Sequence, residues 1–262
     1  GRPTEVGVWI DGAAPFTAET VNGYVAGVHL AYLQRLAQRS SGTTPALLPV
    51  KVETRFRYNQ DFKSVYAMVP GVIMMMLALI PAMMTAVGVV REKEMGSITN
   101  LYATPVTSLE FLLGKQLPYA VIAFTSYLSL LVMALLLFRV PVKGSFIALT
   151  VGAALYVMAT TGFGVLISSF VKTQIAALFG TAVLIMLPVI QFSGLFTPVS
   201  SLSGGARIMG LAFPSTYFQR ISLGTFTKGL DFGDLWVSFA ALAVIVLAYL
   251  MLSLMLLKTQ EE

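Results

Sequence analysis

Five long runs without a charged residue constrain this chain more than any other feature. They extend from Ser64 to Val90, Gln116 to Phe138, Gly144 to Val171, Thr173 to Ala206 and Leu235 to Leu257. A helix that spans a bilayer needs about 20 mainly apolar residues, so each run is long enough to cross. The composition agrees, since 56% of the residues are hydrophobic and only 11% are charged. We therefore predict an α-helical polytopic membrane protein.

The fourth run is too long for one span and too short for two. Its second half contains Gly194, Pro198, Gly204 and Gly205, which disfavour a continuous helix. We expect a span at about 175–194 and then a segment that dips back without crossing, because irregular backbone at membrane depth is tolerated where protein surrounds it. Residues 195–233 are predicted to be re-entrant or extracytoplasmic, with the part from 214 to 233 as an interfacial connection. The other predicted spans cover about 66–90, 116–138, 145–171 and 235–257.

Residues 1–63 are interpreted as a small α+β unit. A β-rich run at Val6–Ile10 ends at a turn, an apolar helical face follows within 17–39, and Val50–Tyr58 alternates between apolar and polar residues. This order predicts a βαβ crossover. Because two strands and one helix form too little core to be stable alone, we expect that the chain is an N-terminally truncated fragment of a longer protein.

The ionisable residues leave little room for catalysis. The chain has no cysteine, one histidine (His29), and no charged residue inside any predicted span. It also lacks the glycine-rich phosphate-binding motifs of nucleotide-binding enzymes. Ion-coupled carriers usually keep ionisable groups at mid-membrane, so this class is disfavoured too. We expect no enzymatic activity of the chain itself, no metal site and no direct contact with nucleic acid, since the net charge of +5 is scattered.

The segment Arg91–Pro105 is the densest charge cluster in the hydrophobic part of the chain. It lies between two charge-free runs, so it must be at one water interface. Two interpretations remain open from its residues: a docking segment for a soluble partner, or an ordinary polar loop. Thr107 and Glu110 fit a capping box that begins the next helix. Charge bias leaves the orientation open, because the loops on each side carry five basic residues when residues 1–63 are set aside.

Small and polar residues within the spans allow two kinds of role. Thr160, Gly164 and Ser168 recur at four-residue spacing in the third span, which predicts close helix packing. Other polar side chains could line a transport path or could equally donate hydrogen bonds between helices. The candidates for such a path are Thr125, Ser129, Tyr156, Thr160 and Thr181.

Several motifs together resemble the permease part of type-2 ABC (ABC-2) exporters. The lead-in Asn59–Ser64 is followed by Pro70–Gly71, although Gln60 replaces the usual proline. Val90–Gly96 and Leu101–Pro105 match the family's charged motif after its second span. The residues that resemble the family's re-entrant segment are Gln191, Phe192, Ser193, Gly194, Pro198 and Pro214.

The resemblance implies a fold with six spans per subunit, of which this chain holds five. It places a partial α+β extracytoplasmic domain at residues 1–63, a transmembrane domain at 64–262 and a cytoplasmic coupling segment at 91–107. The coupling segment would be seated in an ATPase domain. The residues that would couple to that ATPase are Arg91, Glu92, Lys93, Glu94, Gly96, Leu101, Thr104 and Pro105.

The resemblance also implies the partners and the function. It implies an ABC ATPase domain, either separate or fused upstream, which would bind ATP and Mg, and a second copy or a paralogous permease that completes a dimer. The expected function is export of an amphipathic, drug-like substrate across the bacterial inner membrane. The alternative is a permease-like membrane anchor in the ribosome-associated ATPase family, without transport, which would reach the ribosome only through the fused ATPase.

Overall fold

The computed structural model describes residues 7–12, 15–39, 55–58, 64–96 and 107–259. Its secondary structure is dominated by helices, and two short strands lie near the N-terminus. In chain order the elements are β1 (Trp9–Asp11), α1 (Pro15–Arg39), β2 (Arg55–Arg57), α2 (Val65–Glu94), α3 (Ser108–Leu136), α4 (Phe146–Ser168), α5 (Gln174–Phe192), α6 (Gly204–Ala212), α7 (Pro214–Leu223) and α8 (Phe232–Thr259).

Five of these helices, α2, α3, α4, α5 and α8, are long and apolar enough to cross a membrane, as the sequence predicts. The bounds of α2 differ from the expected ones, because the helix continues through Arg91 to Glu94. These charged residues therefore form the last turn of a spanning helix. The capping box is confirmed: the Thr107 hydroxyl accepts from the Glu110 amide at 3.3 Å, and the Glu110 carboxylate accepts from the Thr107 amide at 2.9 Å.

The core of the bundle lies where α2 and α4 cross. Gly164 of α4 packs directly on the main chain of α2 at Ala82, which confirms the close packing predicted from the ridge of small residues. Around this crossing, Met74, Leu77 and Val157 are almost completely buried. Since α2 contacts α3 and α5 as well, it is the central element of the fold.

The segment between α5 and α8 contains α6 and α7, which are 9 and 10 residues long. At about 1.5 Å per residue each is roughly half as long as the hydrocarbon core is thick, so neither can cross it. Most of α7 is buried among α2, α4 and α8. That residues from 214 to 233 form an interfacial connection stays a prediction.

Polar residues of α7 can be buried because their hydroxyls form hydrogen bonds with a main-chain carbonyl of α5 and with a tyrosine hydroxyl of α4. Ser215 lies 2.9 Å from the hydroxyl of Tyr156, Thr216 donates to Phe192 O at 3.2 Å, and the ring of Phe218 stacks on Tyr156 at 4.4 Å. Hydropathy alone marks such a segment as surface, since it does not count the hydrogen bonds that satisfy the buried hydroxyls.

The N-terminal unit has the predicted strand, helix and strand, with β1 parallel to β2 and Ile10 opposite Phe56. Within the described residues each strand is three residues long. The predicted apolar face of α1 is largely uncovered, since Val28 is 72% and Tyr32 59% exposed.

Two lysines attach this unit to the bundle, at the end opposite Arg91–Glu94. Lys228 lies 2.6 Å from the carboxylate of Asp11 and 5.3 Å from the ring centre of Tyr58. Lys143 donates to the carbonyl of Tyr58 at 2.9 Å. Because Lys143 and Gly144 also donate main-chain bonds to Thr225 O, both lysines belong to one connected pair of loops.

We expect Lys228→Met to loosen the N-terminal unit while the bundle stays folded. A partly exposed ion pair contributes only about 0–1 kcal/mol, so the thermal midpoint of the whole protein should barely change. Limited proteolysis should cleave residues 1–63 faster than in the parent. Lys172→Met, at the other end of the bundle, is the matched control, and equal cleavage of the two variants would contradict the expectation.

Candidate functional site

The last turn of α2 is bonded to three other helices. Glu92 forms a 2.6 Å ion pair with Lys115 of α3. Lys93 donates to the carbonyl of Ser168, the last residue of α4, at 2.8 Å. The carboxylate of Glu94 accepts from the amide of Gln174 at 2.9 Å and also from its side chain, at the start of α5. We call this set the clamp: Glu92, Lys93, Glu94, Lys115, Ser168 and Gln174.

Two of the clamp contacts follow from the electrostatics of helix ends. The last carbonyls of a helix lack intrahelical donors and carry partial negative charge, which is where Lys93 meets α4. The first amides of a helix lack acceptors and carry partial positive charge, which is where Glu94 meets α5. Each charged side chain thus lies at the helix terminus that it stabilises.

The clamp joins the ends of four helices. Hydrogen bonds to charged groups are stronger than those between neutral groups, but the Glu94 contacts are exposed and the Glu92–Lys115 pair is about one-third exposed, so solvent weakens both. Together these contacts resist separation of α2 from α3, α4 and α5.

The other predicted coupling residues have different surroundings. Arg91 is exposed and lines a groove, together with the clamp residues Glu92 and Gln174. Gly96 has a φ of 70°, a left-handed conformation that glycine adopts easily and that commonly ends a helix. Leu101, Thr104 and Pro105 lie outside the described residues. The role of all eight residues in coupling stays a prediction.

A groove of about 610 Å³ follows the outer side of α2 between α3 and α5. Its α2 wall extends from Leu79 to Met95, which corresponds to about 24 Å of helix. Near its charged end, the Tyr119 ring rests on Gly88, and a side chain at position 88 would overlap with the tyrosine hydroxyl. The lining residues are Leu79, Ile80, Met83, Met84, Val87, Gly88, Arg91, Glu92, Met95, Tyr119, Gln174 and Leu178.

None of the five residues predicted to line a path lies in this groove. Thr125 and Ser129 donate to carbonyls one turn earlier in α3, on its exposed side. Tyr156 and Thr160 are buried in α4, where they bond to Ser215 and to a carbonyl of their own helix. Thr181 is buried in α5, and its hydroxyl has no partner among the described residues. The structure does not bring these residues together.

The residues assigned to a re-entrant segment connect α5 with α7. Gln191 and Phe192 end α5, Ser193 caps it, and Gly194 has a φ of 90°. Pro198 precedes a short 3-10 turn, and Pro214 is the first residue of α7. Whether this segment lies at membrane depth stays a prediction.

The sequence analysis missed three members of the clamp. Lys115 is the charged residue just before the second apolar run, and Gln174 follows Lys172 and Thr173 at the start of α5. Their positions at run boundaries are a signal that could have suggested contacts at the same interface. Ser168 contributes its main-chain carbonyl, a group that every residue has, so its identity as serine gives no signal for this contact.

Five helices that are long and apolar enough to span a bilayer, four of them joined at their charged end by the clamp, define a polytopic membrane protein. The family model for "ABC-2 family transporter protein" matches residues 1–255. The chain therefore belongs to the ABC-2 transporter family, as its motifs indicated.

Relatives from bacteria agree with this assignment. YbhS of Escherichia coli K12, a probable multidrug ABC transporter permease, is 29% identical over 219 residues, which cover 84% of this chain and 58% of YbhS. YhhJ of the same organism, an inner membrane transport permease, is 26% identical over 261 residues, covering 97% of this chain and 68% of YhhJ. The chain thus spans little more than half the length of YbhS. No solved structure matches it.

Proposed function

We propose that this chain is the permease of an ATP-driven exporter that moves an amphipathic substrate out across the bacterial inner membrane. The observation that carries the proposal is the clamp, because it connects the predicted docking segment to four spanning helices. An ordinary polar loop does not need such connections. The names of YbhS and YhhJ, a multidrug permease and an inner membrane permease, support the substrate class and the location.

The clamp suggests how the proposed exporter works. An ABC ATPase domain, separate or fused, binds ATP and Mg, and ATP binding closes it against the second ATPase domain of the dimer. Its motion acts on the segment after Glu94, which ends at the helix cap at Thr107. The clamp transmits this motion to the ends of α3, α4 and α5. A second copy or a paralogous permease completes the dimer and the path between the two halves.

The groove supports an amphipathic substrate. Its volume of about 610 Å³ lies within the range of about 300–1,000 Å³ that is typical of small-molecule sites. Its wall is mainly Leu, Ile, Val and Met, and its charged end carries Arg91 and Glu92. Methionine side chains adapt to varied shapes, which suits a site that accepts several drug-like molecules.

The direct test is ATP-driven accumulation of a fluorescent amphipathic dye in inside-out vesicles that contain the full-length protein and its ATPase. We expect accumulation with ATP and none when the catalytic carboxylate of the ATPase is replaced. If the dye never moves although ATP is hydrolysed, the exporter is excluded and the membrane-anchor alternative is favoured.

We expect Gly88→Ala to change substrate affinity without unfolding the protein. The added methyl group must displace the Tyr119 ring, which lines the groove and can swing away at modest cost. Dye affinity should change by about fivefold, equivalent to about 1 kcal/mol. Gly114→Ala, on the same helix as Tyr119 and with nothing near the new methyl group, is the control. Equal affinities of both variants would contradict the assignment of the groove.

A further inference from the structure

We infer that the groove selects amphiphiles with an anionic head group, which Arg91 binds while the apolar chain lies along α2. The occupant is a single-chain, lysophospholipid-like molecule that enters from the leaflet next to the charged end of α2. This inference names the substrate class of the groove, and its transport aspect rests on the proposed function.

The first argument is the division of the groove into an apolar length and a polar end. From Leu79 to Val87 the α2 wall carries no polar side chain, and Leu178 of α5 extends the apolar surface. Arg91 follows one turn after Val87. Burying an alkyl chain against such a surface lowers the free energy, but the surface offers no hydrogen bond along that length.

The second argument is the state of each charged group around the polar end. The Glu92 carboxylate is paired with Lys115, and the Glu94 carboxylate is bonded to Gln174. Lys93 is bonded to the Ser168 carbonyl. Among the described residues, Arg91 is the groove-lining charged residue whose side chain has no bonded partner. An anionic head group therefore meets an unpaired guanidinium, whereas a cationic one meets, in the groove, only a carboxylate that already has a lysine partner.

The third argument is the position and chemistry of Arg91. A guanidinium can donate two parallel hydrogen bonds to a phosphate or carboxylate. From Leu79 to Arg91 the helix rises about 18 Å, slightly more than the roughly 15 Å of one leaflet of hydrocarbon. An alkyl chain that fills the groove from Leu79 therefore places its head group at Arg91.

The test compares two photoreactive probes with the same alkyl chain, one with a phosphate head and one with a trimethylammonium head. The full-length protein with its ATPase is placed in lipid nanodiscs, and labelled peptides are identified by mass spectrometry. We expect the phosphate probe to bind about tenfold more tightly, the equivalent of about 1.4 kcal/mol, and to label α2 and α5.

Variants at the charged end test whether Arg91 causes the preference for the phosphate probe. Arg91→Gln should remove the preference for phosphate, and Arg91→Lys should keep part of it, since a point charge remains. Lys172→Gln, which removes an exposed cation from the turn between α4 and α5, should leave the preference intact. The inference is overturned if the parent binds both probes equally, if it prefers the ammonium head, or if Lys172→Gln has the same effect as Arg91→Gln.

A second copy of the chain is the competing occupant, and the absence of cysteine makes it testable. If Met84→Cys forms a disulfide between two copies and neither probe labels α2, a second copy covers the groove and the inference fails.

ATP-driven accumulation of the two probes in vesicles separates this inference from the proposed function. ATP-driven movement of the ammonium probe alone overturns the anion preference and keeps the exporter. Binding of the phosphate probe through Arg91 without ATP-driven movement of either probe keeps the site and removes the exporter.

Discussion

Glu94→Lys is expected to reduce ATP-driven export more than tenfold while ATP hydrolysis continues. The substitution replaces the acceptor of the Gln174 bonds with a cation next to the positive end of α5. Attraction therefore becomes repulsion, and the end of α2 separates from α5. Because Glu94 is exposed, the cost to folding should be small. Export and ATPase rates are measured side by side in the same vesicles.

Two further variants identify the cause of the loss. Glu94→Gln keeps an oxygen acceptor for Gln174 and should retain part of the export. Glu19→Lys makes the same charge change on α1, in the N-terminal unit, and should export normally. If Glu94→Lys exports as well as Glu19→Lys, the clamp does not transmit motion between α2 and α5.

The Glu92–Lys115 pair allows a rescue experiment. Glu92→Lys alone places two cations where the 2.6 Å ion pair was, and export should fall as for Glu94→Lys. Adding Lys115→Glu restores an ion pair of opposite polarity and should recover much of the export. If both variants fold but the double variant does not regain export, the electrostatic attraction between positions 92 and 115 is not what export requires.

Gly164→Ala is expected to have the largest effect on stability. A Cβ atom at this position would overlap with the carbonyl group of Ala82, so the main chains of α2 and α4 must separate. Overpacking a core costs about 1–3 kcal/mol, and a backbone neighbour cannot rotate away as a side chain can. This loss is a large fraction of the about 5–15 kcal/mol that stabilises a typical domain. It is measured as a lower thermal unfolding midpoint in detergent.

Gly180→Ala is the matched control for that substitution. It lies on a spanning helix too, but nothing approaches the position of its added methyl group. Alanine has the higher helix propensity, so this variant should be as stable as the parent or slightly more so. If both alanine variants unfold at the same temperature, the α2–α4 crossing does not depend on close approach at Gly164.

The spans and some of their contacts are predictable from local sequence patterns. Long apolar runs define the spanning helices because each must satisfy its own main-chain hydrogen bonds in the membrane. The capping box at Thr107 is set within one helix, so its spacing predicts it. The small residues around Gly164 predict close packing from their spacing, although the partner helix is not specified.

The clamp and the burial of α7 depend on distant partners. Glu94 bonds to Gln174, which is 80 residues away in the sequence. Lys93 bonds to a main-chain carbonyl, and because every residue has one, the sequence does not identify this partner. The polar residues Ser215 and Thr216 look exposed in the sequence, but they are buried because Tyr156 and the Phe192 carbonyl bond to them. The hydroxyls of Thr125 and Thr160 donate to carbonyls of their own helices. The polarity of a threonine does not distinguish this arrangement from a side chain that lines a transport path.

The most direct test of the account is site-specific crosslinking between the charged end of α2 and the ATPase. In a cysteine-free background, Met95→Cys and Leu137→Cys carry the same short photoreactive label. These positions are comparably exposed, at 60% and 66%, and lie at opposite ends of the bundle. We predict an adduct with the ATPase from Met95→Cys that changes in yield with ATP, and none from Leu137→Cys. Adducts from Leu137→Cys alone, or from neither position, would contradict coupling through this end of α2.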